Sequence, residues 1–548
     1  MAQISYLQEF SHKFKTIGWS QKIQKDLEIL TDLANKNSKF QPKNIWHLPI
    51  FAVYNEPSSV LIRSLRKILE NNYDLSQIIV IISQEGRAGV DFNKQIRKEI
   101  GQENWLETYF EVEIEKVENS ELSGKIDQKF EQDITNSQKL TNKLKIEQNN
   151  QVENQSENQV EKVEKNLTKN LTKLQVYFTE HPDGLVGEIK GKASNEDWGA
   201  RFGTKILEKL QVDKELVLAT SLDADSYLKK GFFRQLSYRF CATPDRQQAA
   251  FQPVHNYNHN FFEIGFWPRL VATQTTFYNL TNLALEGQIS TFAIYSVPLT
   301  VLEKVDFWVR EVIAEDSLLF LKSLVHFDGN FRVIPFYGQM EADSVEHHDY
   351  LEEIISQYRQ LQRWAWGGVE GFPYLFWQFF CTSKGKLIDT RVRLKWIYLL
   401  FSNHFFWATT PLIFGLGPFL PNFLHGNSFM STSVSQNLAT FSQFFAWISF
   451  IFTFVFGYLT IVFIALKNSK FSEDHINNNQ DKINRATQNS NFDRENRRVK
   501  LTWSQFWAIL VQITISPFIY FLMAVPALDV QIRGLLGNYL GYWVTPKK

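Results

Sequence analysis

The sequence predicts an α/β domain with a mostly parallel sheet and helices on both faces, followed by an α-helical transmembrane region. Apolar, β-rich runs that end in polar or glycine-containing turns occur at four places: 46–57, 77–89, 174–182 and 214–226. Helix-like stretches at 58–73 and 195–210 lie between them. This alternation is typical of parallel strands joined by crossover helices. Long apolar runs in the last third of the chain predict the transmembrane region.

Chain length and composition indicate three parts and one insertion. The chain has 548 residues, more than one compact domain usually holds. We expect an N-terminal helical extension at 1–44, the α/β domain at 45–390 and the transmembrane region at 391–548. Residues from about 118 to 173 are mostly Glu, Gln, Lys, Asn, Ser and Thr, which predicts a surface insertion without a core of its own. A coiled-coil partner site within that insertion is an open alternative.

The overall charge and the cysteine content argue against some classes of function. The 58 Lys and Arg residues balance the 58 Asp and Glu residues, so no net charge draws the chain to nucleic acid. Cys241 and Cys381 are the only cysteines, too few for a disulfide framework and without the spacing of a zinc site. We therefore expect no nucleic-acid partner, and a reducing cytoplasm around the α/β domain.

Three apolar runs each exceed the roughly 20 residues that a helix needs to cross a bilayer: 396–420, 440–466 and 505–528. Basic residues are frequent in the segment 384–395 and in the polar loop 467–504, whereas 421–439 has none. Because basic loops stay on the cytoplasmic side, this pattern predicts a multi-pass protein of the inner membrane with its α/β domain in the cytoplasm. Burial of the runs inside a soluble protein is the less favoured alternative.

Carboxylates stand at the ends of three predicted strands. Asp223 and Asp225 lie in the stretch SLDADS, Glu56 follows the first strand and Glu85 follows the second. Because ligands collect at the carboxyl ends of parallel strands, we expect these side chains in one crevice. Paired carboxylates are hard ligands suited to Mg²⁺ or Mn²⁺. Aspartates at a strand end also cap the following helix, so the pair alone leaves a metal site and a helix cap both open.

Six short stretches, taken in chain order, carry a family resemblance: PIFAVYNE (49–56), QEGR (84–87), KGKASN (190–195), SLDADS (221–226), AEDSLLF (314–320) and QLQRW (360–364). Together they resemble the inverting family 2 glycosyltransferases with the GT-A fold, and in particular the membrane-bound branch of cellulose and hyaluronan synthases. QEGR departs from the DDGR of that family, which leaves the choice between uridine and guanosine donors open. The resemblance covers about residues 45–370.

The resemblance implies a membrane glycosyltransferase that moves a sugar, with inversion, from a UDP- or GDP-linked donor to a lipid-linked or membrane-proximal glycan. It implies a divalent metal, Mg²⁺ or Mn²⁺, held by Asp223 and Asp225. It also implies Asp316 as the base that takes the proton of the acceptor, with Glu315 the next candidate. The donor-binding residues that it implies are Tyr54, Asn55, Glu56, Glu85, Lys190, Lys192, Asn195, Asp223 and Arg363. The acceptor-binding residues that it implies are Gln360 and Trp364.

Two alternatives to single sugar transfer stay open. A processive polysaccharide synthase would use the same motifs, although three predicted spans are few for a polymer channel. A membrane-anchored nucleotide-sugar-binding or assembly subunit would keep the binding residues without turnover. Each of these proteins would contact membrane lipid. Export of a product would require partner proteins.

Overall fold

The computed structural model describes residues 38–110, 173–416 except for 258, 262, 286 and 348, and 523–543, with isolated positions elsewhere. The predicted N-terminal extension and insertion lie almost wholly outside the described residues. So do the polar loop 467–504 and most of the predicted spans 440–466 and 505–528. The expectations for these segments stay predictions.

A nine-stranded mixed sheet forms the centre of the protein, with the strand order β3-β4-β2-β1-β5-β8-β7-β9-β6. Its strands are β1 Trp46–Val53, β2 Ile79–Glu85, β3 Leu106–Phe110, β4 Leu174–His181, β5 Val217–Asp223, β6 Tyr227–Leu228, β7 Ala249–Asn256, β8 Tyr295–Pro298 and β9 Arg332–Glu341. The four predicted strands are confirmed as β1, β2, β4 and β5, with somewhat shorter bounds. The edge strand β3 was not predicted.

The five strands β3, β4, β2, β1 and β5 are parallel to one another, as predicted, and the rest of the sheet is mixed. The register pairs Ile50 with Ile81 and Ala52 with Asp223, so β1, β2 and β5 end at the same edge. β8 pairs antiparallel with β5 and with β7, whereas β7 and β9 are parallel. The sheet therefore continues past β5, and the site at that strand's end is flanked on both sides.

Helices cover both faces of the sheet: α1 Ser58–Leu69, α2 Val90–Gly101, α3 Lys192–Lys209, α4 Phe232–Ala242, α5 Phe266–Ala284, α6 Leu299–Lys304, α7 Glu315–His326, α8 Tyr350–Cys381, α9 Ser383–Leu387 and α10 Thr390–Leu416. Residues 523–535 are also helical. The predicted helices 58–73 and 195–210 correspond to α1 and α3. The mixed sheet between helical layers confirms the α/β class.

Strand β1 shows how the two cores arise from one apolar run. Leu48 and Ile50 are fully buried in a core shared with α3 and α7, whereas Phe51 and Val53 lie in a second core shared with α1 and α4. A strand that is covered on both faces needs apolar residues at nearly every position, which explains the unbroken run IFAV. Each such buried side chain contributes about 1.5–3 kcal/mol to folding.

Helix α8 is the longest described helix, with 32 residues, and it carries the QLQRW stretch. Asp349 caps its N-terminus, since its carboxylate accepts a hydrogen bond from Leu351 N at 2.7 Å. Two adjacent glycines allow close packing in its middle. A Cβ on Gly367 would meet Ala314 at 3.4 Å, and a Cβ on Gly368 would meet the ring of His404 at 2.4 Å. α8 is thus held against the start of α7 on one side and α10 on the other.

Within the part of the chain that the structure describes, no helix combines the length and the apolar character needed to cross a membrane. The predicted span 396–420 falls mainly in α10, whose first turns carry Arg391, Arg393 and Lys395. Asn403 and His404 add polar groups at its centre. The expectation of a spanning helix is therefore not supported for α10.

Candidate active site

The carboxyl ends of β1, β2 and β5 bring the first group of predicted residues to one edge of the sheet. Tyr54, Asn55 and Glu56 follow β1, and Glu85 is the last residue of β2. The turn after β1 is closed by its own carboxylate, because Glu56 Oε2 accepts a hydrogen bond from Tyr54 N at 2.8 Å. The sequence YNE therefore folds into a local turn that fixes the entrance of the crevice.

An arginine that was not predicted joins this end of the crevice. The Arg87 guanidinium lies 3.9 Å from the ring centroid of Tyr54, within the range of a cation–π contact. Arg87 also forms an ion pair with Glu85. Burial raises the pKa of Glu85, and the neighbouring Arg87 acts against that rise. The three side chains make a flat, hydrogen-bonding surface at the entrance.

The centre of the site is an ammonium group surrounded by carboxylates. Lys192 Nζ lies 2.9 Å from Asp223 Oδ1, 3.4 Å from Glu315 Oε1 and 3.5 Å from Glu196 Oε1. Burial acts to lower the pKa of Lys192, but Asp223, Glu196 and Glu315 together raise it well above its usual value. Lys192 is thus a fixed cation, and residues of two distant motifs, SLDADS and AEDSLLF, converge on it.

Burial acts on the two glutamates of this cluster in the opposite direction from Lys192, because it disfavours the charged form of each group. Burial raises the pKa of both Glu196 and Glu315, and the ammonium of Lys192 counteracts the rise. Ser221 donates a hydrogen bond to Glu196 and helps to hold it under β5. Because three carboxylates surround one ammonium, an additional cation near the cluster would be electrostatically favoured.

Asp225 lies deeper than Asp223. Its side chain is fully buried, and Oδ2 accepts a hydrogen bond from Asp343 N at 3.0 Å. Asp343 in turn accepts a hydrogen bond from the hydroxyl of Tyr227 at 2.9 Å and lies 2.6 Å from His259 Nδ1. A network of side chains therefore holds the second aspartate of SLDADS in place.

The donor set at the end of β5 fits a hard divalent cation. Asp223 and Asp225 offer carboxylate oxygens, and Mg²⁺ is commonly held by one or two carboxylates together with water and phosphate oxygens. Among the described residues, no group of three or more His, Cys, Asp or Glu side chains is placed to hold a metal. Two carboxylates would begin such a site, and a phosphate ligand would complete it.

The predicted base Asp316 stands at the start of α7 beside Glu315, but the two side chains have different surroundings. Asp316 Oδ2 accepts a hydrogen bond from Ala293 N at 2.8 Å, and Oδ1 accepts one from Ser317 N at 2.6 Å. Glu315 instead faces the Lys192 cluster. Backbone donors thus fix the orientation of Asp316, while an ion cluster fixes Glu315.

Glu370 on α8 binds the backbone just before Glu315 and Asp316, and it was not predicted. Its carboxylate accepts hydrogen bonds from Ile313 N and Ala314 N, each at 2.9 Å, and from Trp366 Nε1 at 2.9 Å. A carboxylate at this position satisfies free N–H groups and favours the positive end of α7. Its spacing could have indicated that Glu370 lies near the site, because it follows Arg363 by seven residues and shares its helix face.

The three predicted site residues of the QLQRW stretch, Gln360, Arg363 and Trp364, have different surroundings. Asp223 and Glu315 are among the charges that raise the pKa of Arg363, against the lowering effect of its burial. The ring of Trp364 lies 5.7 Å from that of Tyr257. Gln360 is buried, and its Oε1 accepts a hydrogen bond from Gln357 at 2.8 Å. The charges of the cluster therefore act on Arg363, whereas Gln360 is hydrogen-bonded within its own helix.

Two predicted donor-binding residues take different roles from those expected. Lys190 is exposed and lies 3.0 Å from Asp183, away from the Lys192 cluster. Asn195 is fully buried, and its amide donates to Ser83 O at 2.8 Å and to Val53 O at 3.2 Å. Because the amide is used by backbone carbonyls, Asn195 ties the ends of β1 and β2 together and is not available to phosphate.

Comparison with known proteins adds a family match. Residues 219–461 match the family model described as Glycosyl transferase family group 2. The chain is similar to the mannosyltransferase PcManGT from Pyrobaculum calidifontis in complex with GDP-Man and Mn²⁺, with 12% identity, a TM-score of 0.39, and coverage of 73% of this chain and 84% of that chain. It is also similar to S. aureus TarS 1–349, with 10% identity, a TM-score of 0.29, and coverage of 68% and 77%. No curated protein sequence matches the chain.

The class of enzyme follows from the match to the family model: the chain is a glycosyltransferase. The matched residues include SLDADS, AEDSLLF and QLQRW, three of the six stretches that carried the resemblance. The match therefore supports a family 2 glycosyltransferase. Because the solved structures have TM-scores below 0.5, this result rests on the sequence match.

Proposed function

We propose that this protein transfers a sugar, with inversion, from a UDP- or GDP-linked donor to a lipid-linked or membrane-proximal glycan. The observation that carries the proposal is the Lys192 cluster, in which Asp223 and Glu315 meet one ammonium group within 3.4 Å. KGKASN, SLDADS and AEDSLLF thereby supply one groove. Such convergence supports a single place for diphosphate binding and proton transfer.

The residues of the groove suit a single displacement. The departing nucleotide diphosphate carries negative charge, which Lys192 and the planar guanidinium of Arg363 would hold. The acceptor hydroxyl must lose a proton as it attacks the anomeric carbon, and Asp316 would accept that proton. Trp364 would offer a flat face to the acceptor sugar. Attack from the side opposite to the leaving group inverts the anomeric centre.

Asp223 and Asp225 are proposed as ligands of Mg²⁺ or Mn²⁺, which would add charge stabilisation at the diphosphate. Asp225→Asn should weaken Mn²⁺-dependent donor binding by more than about tenfold and remove most of the turnover, because the cation loses an anionic ligand. Calorimetric titration of UDP- and GDP-sugars with and without Mn²⁺ measures the binding term.

The matched control for the metal experiment is Asp245→Asn, an exposed aspartate that pairs with Arg332 at 3.3 Å. This control should bind the donor as the wild type does. Full activity of Asp225→Asn, or of the wild type in excess chelator, would contradict the metal assignment. The same donor screen identifies the nucleotide.

A membrane-proximal setting is part of the proposal, and exposed aromatic side chains support it. Trp377 on α8 and Tyr398 on α10 are 63% and 65% exposed, and Phe401 and Phe406 are 49% and 53% exposed. Arg391 begins the same region of α10. Large apolar side chains beside basic groups are typical of surfaces that contact membranes.

Flotation with lipid vesicles tests this setting. Purified protein should float with vesicles that contain anionic lipid, and Trp377→Ser combined with Phe406→Ser should lower the floating fraction. Tyr278→Ser, which changes a 56% exposed aromatic on α5, is the matched control. A wild-type protein that stays at the bottom of the gradient would exclude the membrane-proximal proposal.

Two measurements separate the proposed enzyme from its alternatives. Release of nucleotide from a labelled donor by the purified protein distinguishes an enzyme from a nucleotide-sugar-binding subunit. The length of the labelled product distinguishes a single addition from a processive polysaccharide synthase. We expect nucleotide release and short products.

A further inference from the structure

We propose that Tyr542 contacts the nucleotide sugar and forms one wall of its groove, an assignment that rests on the proposed function. Tyr542 is distant in the chain from every stretch that carried the family resemblance. The structure nevertheless places its ring against Gly191, in the KGK turn that holds Lys192. A Cβ on Gly191 would lie 2.9 Å from the ring atom Cδ2 of Tyr542, so only glycine leaves space for the ring here.

The ring of Tyr542 also lies near Arg363. The Arg363 guanidinium lies 5.8 Å from the ring centroid of Tyr542, within the range of a cation–π contact. Burial raises the pKa of Tyr542 to about 12, and the charges that act on its hydroxyl are those of Arg363, Glu315, Lys192 and Glu85. Tyr542 therefore lies beside the charged cluster, against the turn that carries Lys192.

The segment 538–543, which we term the C-terminal strap, is anchored along one face of α8. The Arg359 guanidinium lies 5.6 Å from the ring of Trp543, and Trp366 meets Tyr539 edge to face at 5.8 Å. Positions 359, 363 and 366 share a helix face, so the strap follows α8 over two turns. The preceding helical residues are fixed as well, because Gln362 Nε2 donates to Asp529 at 2.5 Å. The strap is thus positioned by several independent contacts.

An aromatic wall at this place has two chemical effects. The apolar face of a sugar can pack on the ring, as aromatic side chains pack on flat apolar groups. The ring also covers the side of the groove between Gly191 and Arg363, where water would otherwise reach the anomeric carbon. We therefore expect Tyr542 to strengthen donor binding and to favour transfer to the acceptor over hydrolysis by water.

The full-length variants Tyr542→Phe, Tyr542→Leu and Tyr542→Ala test the assignment, with Leu535→Ala, in the helix just before the strap, as the control. Tyr542→Phe keeps the ring and should retain donor affinity within about threefold. Tyr542→Leu keeps apolar bulk against the neighbouring core but lacks the flat face. Leu and Ala should each weaken donor binding about fivefold to tenfold and raise the ratio of hydrolysis to transfer. Leu535→Ala should change neither quantity, because the Leu535 side chain is 88% exposed.

The ratio of hydrolysis to transfer separates contact with substrate from a structural role, because a general loss of folded protein lowers both rates equally. An unchanged ratio and unchanged donor affinity in Tyr542→Leu would overturn the assignment. Faster turnover with tighter donor binding would also overturn it, since that result would make the strap an inhibitory plug. A wild-type protein that binds no nucleotide sugar contradicts the proposed function itself, and this assignment falls with it.

Discussion

Asp316→Asn should lose about 10²- to 10⁴-fold in the rate of sugar transfer, the usual effect of removing a general base. The amide keeps the shape of the carboxylate and can accept one of its two backbone hydrogen bonds, but it cannot accept a proton at neutral pH. Donor affinity should stay close to that of the wild type, because Lys192 and Arg363 are unchanged. Single-turnover transfer together with calorimetric donor binding measures both quantities.

The control for this experiment is Asp328→Asn, near the C-terminus of the same helix. Asp328 is exposed and has a φ of 53°, a conformation that Asn adopts readily. The Asp328→Asn variant should transfer sugar at the wild-type rate. If Asp316→Asn also transfers at nearly the normal rate, the base lies elsewhere, and Glu315→Gln is the next variant to measure.

Lys192→Met should lower the free energy of unfolding by about 3–5 kcal/mol, the cost of removing one partner from a buried ion pair. The Lys192 side chain is only 11% exposed, and three carboxylates would lose their shared cation. Lys214→Met is the matched control, since Lys214 also pairs with two carboxylates but is 30% exposed. That variant should lose about 0–1 kcal/mol. Urea unfolding measures the difference.

The loss caused by Lys192→Met should depend on pH. Burial already raises the pKa of Glu196 and Glu315 above 4.5 in the folded protein, and Lys192 limits the rise. Without Lys192 the folded state binds more protons than the unfolded state above about pH 4.5, so stability falls as pH rises. We expect a larger loss at pH 8 than at pH 5.5. A loss independent of pH would show that the three carboxylates do not depend on Lys192 for charge compensation.

The strands were predictable because their sequence signals are local, whereas Lys192 and Glu315 were implied by the family resemblance and Glu196 was not predicted. Apolar runs that end in carboxylates gave β1, β2 and β5, and parallel pairing then places Glu85 and Asp223 at one edge. The edge strand β3 was missed because Leu106–Phe110 is a five-residue run beside a polar insertion. Asn195 was misassigned because its motif does not reveal that two backbone carbonyls use its amide.

The missed residues of the site depend on contacts between distant parts of the chain. Glu370 acts on the start of α7 across a helix interface, and no local pattern in GGVEGF shows which neighbour it meets. Tyr542 reaches the groove only because the C-terminal strap follows α8. Both contacts are set by the fold and not by a local sequence pattern.

The position of α8 has a consequence for exchanging parts between related enzymes. One rigid helix carries Arg363 in the groove, Glu370 behind the base and the docking face for Tyr542. A chimera that takes only the strap from a relative would therefore place a foreign aromatic against an unmatched helix. A chimera that takes α8 and the strap together would move a complete module, and its activity should follow the source of that module.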